Sequence, residues 1–448
     1  MIFFKKNNKY RKIKITKRKN KRNKYSSYIN TISIEPNFYL VITIKFFFIF
    51  LFSFKIYTSF PVINKNNPAA AVSKKIADFE NTLHNITEEE IQEFRKINSD
   101  NTLVDNSGFK KSDNPDISVI VTLHNQAHCI HKCIRSIQNQ SIKNLEIIFI
   151  DDCSTDNSTE VIEEFQKNDE RIILYRHDTN WGPFRSRAEG VRSAKGKYIT
   201  IIDGDDALIH KNILNNSLII ANMGNIDVVE FKASYYRNKK FKEIVNSYSL
   251  INITGIIYQP ELRTKFFIIC DNDSVRAIQS RSIWAKLIKN EVFQQAIVNI
   301  GPKYTEDCIM QYEDTIMAVA LYQVAKSYYL MKEVGYYYSR DEFGGRFPSI
   351  KGKTCKKNYK ITDMGQVKLL QFLVEKTANN QIERQMIYHE LFSIDHYLSF
   401  LYIIYHNYEM LYEVLDPLIQ SPFLTHAQKE RLTNLKEKLM EKQNKKLI

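Results

Sequence analysis

The feature that most constrains the fold is an alternation of apolar strands with amphipathic helices between residues 116 and 232. The segment ISVIVTL (117–123) is apolar almost throughout, which is typical of a strand buried on both faces. Further strands are predicted at LEIIFID (145–151), RIILYR (171–176), KYITIID (197–203) and IDVVEFK (226–232). Repeated strand–helix–strand units predict an α/β fold with a mostly parallel sheet and helices on both faces.

Helical spacing of apolar residues predicts the elements between these strands. Helices are expected over 128–140, 158–168 and 184–196, and we expect Gly196 to end the last one in the left-handed conformation. Beyond residue 345 the strand signal fades, and residues 346–448 are predicted to be a helical C-terminal region. The pattern leaves open whether this region is separate or packs on the sheet.

The N-terminal part differs in composition from the rest of the chain. The net charge is +14, and residues 1–37 hold twelve Lys and Arg against one acidic residue, Glu35. This is a basic tail and not a charged face of the folded domain, so nucleic acid is not a predicted partner. Residues 38–58 have the length of a transmembrane helix. The excess of Lys and Arg predicts that the N-terminus is cytosolic.

This pattern predicts a single-pass membrane protein whose catalytic domain faces the Golgi or ER lumen or lies outside the cell. A cleaved signal or a buried apolar helix is the alternative interpretation of residues 38–58. Residues 59–115 are polar and mixed and are predicted to be a stem, with one helix near residues 72–97. Such a stem would hold the domain that follows, residues 116–345, away from a membrane.

Polar side chains follow three of the predicted strands at the points where they end. Thr122, His124 and Asn125 follow the first strand, Asp151 and Asp152 the second, and DGDD (203–206) the strand at 197–203. The carboxyl ends of parallel strands meet at one edge of a sheet, where ligands bind. So many carboxylates repel one another unless a cation lies among them, and a hard divalent ion prefers oxygen ligands. The sequence therefore predicts a divalent metal site that can also bind phosphate oxygens.

Three segments in this order resemble the family-two glycosyltransferases of the GT-A fold. They are SVIVTLHNQ, LEIIFIDDCSTDNS and NWGPFRSRAEGVRSAKGKYITIIDGDD, and the resemblance extends over about residues 117–345. It implies an inverting transfer of a sugar from a nucleotide-sugar donor, with UDP as the expected nucleotide and Mn²⁺ or Mg²⁺ as the cofactor. It also implies a glycan or another hydroxyl compound as the acceptor.

The resemblance carries the family's nucleotide and metal residues onto this chain. The implied nucleotide-binding residues are Thr122, His124, Asp152, Arg187 and Asp203. Asp205, the second acid of the Asp-x-Asp motif, is the implied metal ligand. The family usually has an aromatic residue at the position of His124, often a proline at that of Thr122, and an asparagine where this chain has Ala188.

An inverting transfer needs a base that removes the proton of the acceptor hydroxyl. The resemblance implies Asp314 for this role and places Glu313 near the acceptor, at the start of a predicted helix. The segment TED (305–307) is a rival for the same role. Trp284 is the implied acceptor wall, and Lys286 is expected to be structural or close to the phosphates.

Together these features predict a membrane-anchored, metal-assisted, inverting glycosyltransferase of the hexosyltransferase type. Two alternatives stay open at this stage. One is a polyprenyl-phosphate sugar synthase, which would share the first half of the domain. The other is a non-catalytic protein that uses the same fold to bind a glycan or a nucleotide.

Overall fold

The computed structural model describes most of the chain after residue 67 and short segments before it. The described residues are 3–6, 9–12, 40–44, 54–58, 68–83, 87, 89–92, 94, 106–237, 240–243, 255–262, 268–270, 274–276, 281–307, 309, 312–339, 368–377, 380–392 and 408–446. The chain divides into two units, Met1–Ala71 and Val72–Ile448.

The second unit is an α/β structure in which strands and helices alternate. Its N-terminal half contains β5 (Ile117–Leu123), α2 (Ile130–Gln138), β6 (Leu145–Asp151), α3 (Ser158–Gln166), β7 (Ile172–Arg176), α4 (Pro183–Ser193), β8 (Tyr198–Asp203), β9 (Ala207–Leu208) and α5 (Ile213–Gly224). The strands β10 (Val228–Arg237), β11 (Lys240–Glu243), β12 (Ile257–Tyr258), β13 (Ile268–Cys270), β14 (Ser274–Arg276) and β15 (Lys286–Lys289) follow. The last elements are α6 (Asn290–Ile300), α7 (Pro302–Thr305), α8 (Glu313–Val324), β16 (Ser327–Tyr337), α9 (Gln381–Phe392), α10 (Tyr408–Gln420) and α11 (His426–Lys446).

One ten-stranded sheet organises this unit, with the strand order β12-β16-β10-β15-β8-β5-β6-β7 and with β9 and β11 at its margin. The strands β8, β5, β6 and β7 are parallel, as predicted. Strands β10 and β16 are also parallel to each other and run in the same direction as β8, which fits the predicted mostly parallel sheet, whereas β15 is antiparallel to its neighbours β8 and β10.

The sheet separates two layers of the hydrophobic core. Alternate residues of a strand point to opposite faces, so Ile120 of β5 contributes to one layer and Val119 and Val121 to the other. The layer around Ile120 includes apolar residues of α4, α6 and α8 and of the C-terminal helices. The opposite layer includes apolar residues of α2, α3 and α5. The predicted helices on both faces are therefore confirmed.

The C-terminal region packs on the domain, which answers the question that the sequence left open. Residues 368–376 are helical, and the ring of Phe372 meets that of Tyr304 edge to face, with 5.4 Å between the ring centroids. The hydroxyl of Tyr304 donates a hydrogen bond of 2.8 Å to Glu375. The C-terminal helices thus cover the face of the sheet on which α8 lies.

The segment predicted to be a stem also contacts the domain. Its helix is α1 (Pro68–Glu80), which ends well before the predicted residue 97, and a second helical stretch begins at residue 89. Ile76 of α1 is fully buried in the core layer opposite α4, and Glu80 accepts hydrogen bonds from the Tyr329 hydroxyl and the Lys332 amide of β16. This part of the segment is therefore packed against the sheet and does not extend away from it.

The first unit contains four short strands in the described residues: β1 (Phe3–Lys6), β2 (Lys9–Lys12), β3 (Leu40–Ile44) and β4 (Phe54–Thr58). The prediction of a transmembrane helix at 38–58 is not met, because β3 and β4 pair antiparallel there. Their β-branched and aromatic residues favour extended backbone. Among the residues that the structure describes, no helix has both the length and the apolar character required to cross a bilayer. Membrane attachment and the compartment stay predictions.

Gly196 does not have the role that the sequence predicts for it. Helix α4 ends at Ser193, and Ala194 follows in extended conformation. The glycine is instead required by a close approach to β5. A Cβ atom at Gly196 would lie 2.4 Å from the Ser118 amide nitrogen, and the Gly196 amide donates a hydrogen bond of 2.7 Å to the Ser118 hydroxyl.

Candidate active site

The polar strand ends meet at one edge of the sheet. In the parallel pairing, Leu123 lies opposite Asp151 and Thr122 lies opposite Asp203. The amide of Gly204 then donates a hydrogen bond of 3.1 Å to the carbonyl of Thr122. The expectation that the ends of β5, β6 and β8 share one edge is confirmed by this register.

Arg187 connects that edge to a distant part of the chain. Its Nη2 donates to Asp203 Oδ1 at 2.7 Å, and its Nη1 donates to Glu313 Oε1 at 2.8 Å and to Asp314 Oδ1 at 2.7 Å. The Arg187 side chain is 5% exposed. Burial disfavours the charged guanidinium, but Asp203, Asp314 and Glu313 outweigh burial and raise the pKa of Arg187 well above its ordinary value.

The three carboxylates around Arg187 carry more negative charge than one guanidinium neutralises. The pKa of Asp314 is raised to about 7, chiefly by burial and also by the charges of Glu313 and Asp203, while Arg187 lowers it. Burial also raises the pKa of Glu313. A carboxylate whose pKa lies near neutrality can both accept and release a proton under ordinary conditions.

The start of α8 presents Glu313 and Asp314 to Arg187. Tyr312 precedes the helix in the left-handed conformation, with φ of 63°, which turns the chain into the helix. The rival segment 305–307 lies in other contacts. Thr305 is fully buried and accepts a hydrogen bond from Arg192, while Asp307 pairs with Lys368 at 2.7 Å. Only the Glu313–Asp314 element is thus joined to Asp203 through Arg187.

The remaining carboxylates of DGDD have different surroundings. Asp206 is 1% exposed, and its oxygens accept from the Tyr336 hydroxyl at 2.7 Å and from the Ser339 amide at 2.9 Å. Asp205 is partly exposed, and burial together with the charge of Asp203 raises its pKa. Asp206 therefore organises the protein, whereas Asp205 is the acid of this motif that is available to a ligand.

Gly204 is required for space. A Cβ atom there would lie 2.1 Å from Oε1 of Gln126, so no larger residue fits without movement. The sequence predicts that Gly204 allows a bend of the backbone, but its φ is not in the left-handed region. Its function is to let the DGDD turn pack against the loop after β5.

The residues at this edge fit a divalent cation that is shared with a ligand. Within the described part of the chain, no three His, Cys, Asp or Glu side chains converge on one metal position. Mg²⁺ is commonly held by only one or two carboxylates together with substrate phosphates, and a dedicated protein cage is not needed. Asp205, with its raised pKa, is the residue at which a bound cation would favour the ionised form.

The predicted nucleobase residues lie around the ends of β5 and β6. Asp152 is 4% exposed, and its oxygens accept from the amides of Trp181 at 2.9 Å and Gly182 at 2.7 Å. The His124 ring is exposed, and its Nδ1 lies 2.8 Å from the carbonyl oxygen of Asp152. Thr122 is buried. Of these three residues, His124 is the exposed one, while backbone amides fix the Asp152 carboxylate by hydrogen bonds.

The predicted acceptor wall is part of an aromatic stack. Trp284 stacks on Tyr336 at 4.8 Å and on Tyr338 at 5.7 Å between ring centroids. The Tyr336 hydroxyl accepts from the Asp203 amide at 3.2 Å while it donates to Asp206, so the stack is joined to the DGDD turn. Lys286 is fully buried and pairs with Glu230 at 3.1 Å. Of the two roles expected for Lys286, this ion pair favours the structural one over a position close to the phosphates.

Sequence reasoning missed Tyr336 and His177. The segment YYY (336–338) is predicted only as a strand, although alternate residues of a strand share one face and Tyr336 and Tyr338 therefore both reach Trp284. His177 lies between Asp152 and Glu189, at 2.8 Å and 2.7 Å. No sequence spacing signals this contact, because the two carboxylates come from β6 and α4.

The mixed α/β sheet, with carboxylates at the ends of its parallel strands, is consistent with the GT-A fold. Residues 118–216 match the family Glycosyl transferase family 2. The chain is 29% identical over 223 residues to the glycosyltransferase GlyA of Streptococcus pneumoniae, an alignment that covers 48% of this chain and 30% of that protein. Residues 118–216 of this chain are therefore similar to the family 2 glycosyltransferases.

Other comparisons agree with this assignment. An uncharacterized glycosyltransferase of Methanocaldococcus jannaschii is 29% identical over 241 residues, which cover 49% of this chain and 79% of that one. The crystal structure of TarS from S. aureus in complex with UDP has a TM-score of 0.50 and 15% identity, and covers 73% of this chain and 88% of that one. At this identity the likeness supports the fold alone. The chain spans about a third of the length of GlyA.

Proposed function

We propose that this chain transfers a hexose from a nucleotide-sugar donor, with UDP as the nucleotide, to a hydroxyl acceptor with inversion. The observation that carries the proposal is the joining of Asp203 to Asp314 through the buried guanidinium of Arg187. Asp203, the proposed nucleotide ligand, and Asp314, whose pKa is raised to about 7, are thereby held at one site. The match of residues 118–216 to family 2 and the UDP complex of the TarS neighbour support the choice of reaction and nucleotide.

In this mechanism Asp314 is the base. Its ionised carboxylate accepts the proton of the acceptor hydroxyl while the hydroxyl oxygen attacks the anomeric carbon of the donor. The bond from that carbon to the diphosphate oxygen breaks on the opposite face, and UDP is the leaving group. Arg187 fixes the Asp314 carboxylate at 2.7 Å and limits its charge repulsion with Glu313. Trp284, held by its stack on Tyr336, provides an apolar face for the acceptor.

The nucleotide is held at the ends of the parallel strands. Asp152, His124 and Thr122 line the base pocket, and Asp203 binds the ribose. Asp205 would hold a Mn²⁺ or Mg²⁺ ion, which would supply charge neutralisation at the diphosphate. The buried Asp206 keeps the DGDD turn in place through its bonds to Tyr336 and Ser339.

Calorimetry with UDP and Mn²⁺, followed by turnover of a panel of UDP-sugars to UDP, tests this proposal. The unaltered chain should bind UDP more tightly with Mn²⁺ than without it and should turn over at least one donor. Asp205→Ala should lose the effect of Mn²⁺ on binding together with turnover, since it removes the proposed metal ligand. Asp113→Ala removes an exposed acid and is the matched control.

Two results would contradict the proposal. One is an Asp205→Ala protein that still responds to Mn²⁺ and still releases UDP. The other is a chain that binds UDP but hydrolyses no donor and transfers no sugar, which would favour the non-catalytic alternative.

A further inference from the structure

The His177 side chain bridges two carboxylates beside the proposed nucleobase pocket. Its Nδ1 lies 2.8 Å from Asp152 Oδ1, and its Nε2 lies 2.7 Å from Glu189 Oε2. The imidazole is 10% exposed, so water competes little for either contact. Asp152 follows β6 and Glu189 lies on α4, so the ring connects the end of a strand to a helix.

Both contacts require a proton on the imidazole. An ionised carboxylate only accepts hydrogen bonds, so each ring nitrogen must donate, which only the imidazolium can do. Burial opposes this charge, but the hydrogen bonds to Asp152 and Glu189 outweigh burial and hold the pKa of His177 above its ordinary value.

Two arginines pair with acids in the same region as the ring. Arg185 Nε donates to Glu189 Oε1 at 2.9 Å, and Arg176, which precedes His177, lies 3.6 Å from Asp151. These guanidiniums therefore pair with acids of the same region and leave Asp152 to the imidazolium and to backbone amides.

The same carboxylate also holds the turn that begins α4. Besides His177, Asp152 accepts from the amides of Trp181 and Gly182, and Gly182 has φ of 82°. The exposed Trp181 ring lies 3.9 Å from the Arg185 guanidinium carbon. A change in the Asp152 orientation would therefore move this turn as well.

We propose that His177 is a positioning residue for the nucleotide: as an imidazolium it fixes the Asp152 carboxylate and the Trp181–Gly182 turn, and nucleotide affinity falls when the ring loses a proton. The inference rests on the proposed function, which places Asp152 in the base pocket. A neutral ring can donate only once, so either Asp152 or Glu189 would then face a lone pair. Affinity should fall as pH rises, whereas ionisation of Asp205 for metal binding has the opposite sign.

The test measures two quantities across pH 6 to 8.5 on the full chain. Nitrogen-15 NMR of histidine follows the His177 ring without nucleotide, and calorimetry follows the affinity for UDP with Mg²⁺. We expect the affinity to fall roughly tenfold as pH rises, with the same midpoint as the ring titration. A fall of this size is expected for the loss of one charged hydrogen bond. His177→Gln should bind UDP roughly tenfold more weakly at pH 6 and lack this fall.

A second variant guards against a change in folding. Glu189→Gln keeps the ring but removes one of the charges that stabilise the imidazolium, so both midpoints should move to lower pH together. His426→Gln, at an exposed histidine, is the matched control and should leave both curves unchanged.

The outcomes separate the inference from the proposed function. A ring that titrates while the UDP affinity does not follow it overturns the inference and leaves nucleotide binding intact. An affinity curve that stays in place when Glu189→Gln moves the ring midpoint also overturns it. No UDP binding by the unaltered chain at any pH, with the ring titrating normally, overturns the proposed function and the inference with it.

Discussion

At the scale of single residues, Arg187 decides the chemistry of the site. One guanidinium that is almost fully buried serves Asp203, Glu313 and Asp314. Removing it would leave three carboxylates close together without the cation that hydrogen-bonds to all of them, which is far more costly than an unpaired surface charge. The arrangement explains how Asp314 can keep a pKa near neutrality in a buried position.

The pH dependence of turnover should report Asp314. Because the base must be ionised in the free enzyme, we expect kcat/KM to rise with pH and to level off above a midpoint near 7, the raised pKa of Asp314. Glu313→Gln removes a negative charge that raises this pKa, so the midpoint should move to lower pH. A midpoint that stays in place or moves up would show that another group limits the rate.

Tyr336 shows how a residue without a chemical role can still be required. We expect Tyr336→Phe to lower the free energy of unfolding by about 1–3 kcal/mol, because it leaves a buried Asp206 oxygen without a hydrogen bond. It should also weaken Mn²⁺-dependent UDP binding by disordering the DGDD turn. Urea unfolding measures the first effect, with the exposed Tyr258→Phe as control. Equal stability of the two variants would contradict this role.

At the scale of elements, helix α4 matters most because its faces have separate functions. Arg187 faces the carboxylates of the site, Glu189 faces His177, and Gly190 packs against Ile120 of β5. The position of the helix on the sheet therefore sets the position of both polar groups. A change in its packing should affect the site even without a change in a polar residue.

Gly190→Ala tests this link. A Cβ atom at Gly190 would lie 2.4 Å from Cγ2 of Ile120, which is fully buried, so helix and strand must separate. We expect a net loss of about 1–3 kcal/mol in the free energy of unfolding, although alanine favours helix more than glycine does. Gly108→Ala, at a site with nothing within 4 Å, is the control. A stabilised Gly190→Ala protein would contradict the packing argument.

The elements differ in how far the sequence predicts them. The apolar runs of β5, β6 and β8 define those strands and place their polar ends together. The antiparallel β15 lacks such a signal because it is only four residues long.

Arg187 lies 126 and 127 residues from its partners Glu313 and Asp314, so only the folded sheet reveals those contacts. The apolar length of residues 38–58 suggests a helix, but the β-branched composition of β3 and β4 prevails.

At the scale of the molecule, the site is assembled from both halves of the Val72–Ile448 unit. The half with β5, β6 and β8 supplies Asp152, Asp203 and Asp205, and the half that ends in α8 and β16 supplies Asp314 and most of the aromatic stack. The C-terminal helices pack in the same core layer as α8, so they support the helix that carries the proposed base. The fold thus joins the proposed nucleotide side and the proposed acceptor side at Arg187.

Turnover of a UDP-sugar by Asp314→Asn, compared with Asp307→Asn, tests most directly whether these halves form one catalytic site. Both changes remove one carboxylate, but only Asp314 is joined to Asp203, while Asp307 pairs with Lys368. We predict that Asp314→Asn loses turnover at least ~100-fold, the contribution of general base catalysis, while it still binds UDP. Asp307→Asn should stay active. Full turnover by Asp314→Asn, or its loss in Asp307→Asn alone, would contradict the proposed site.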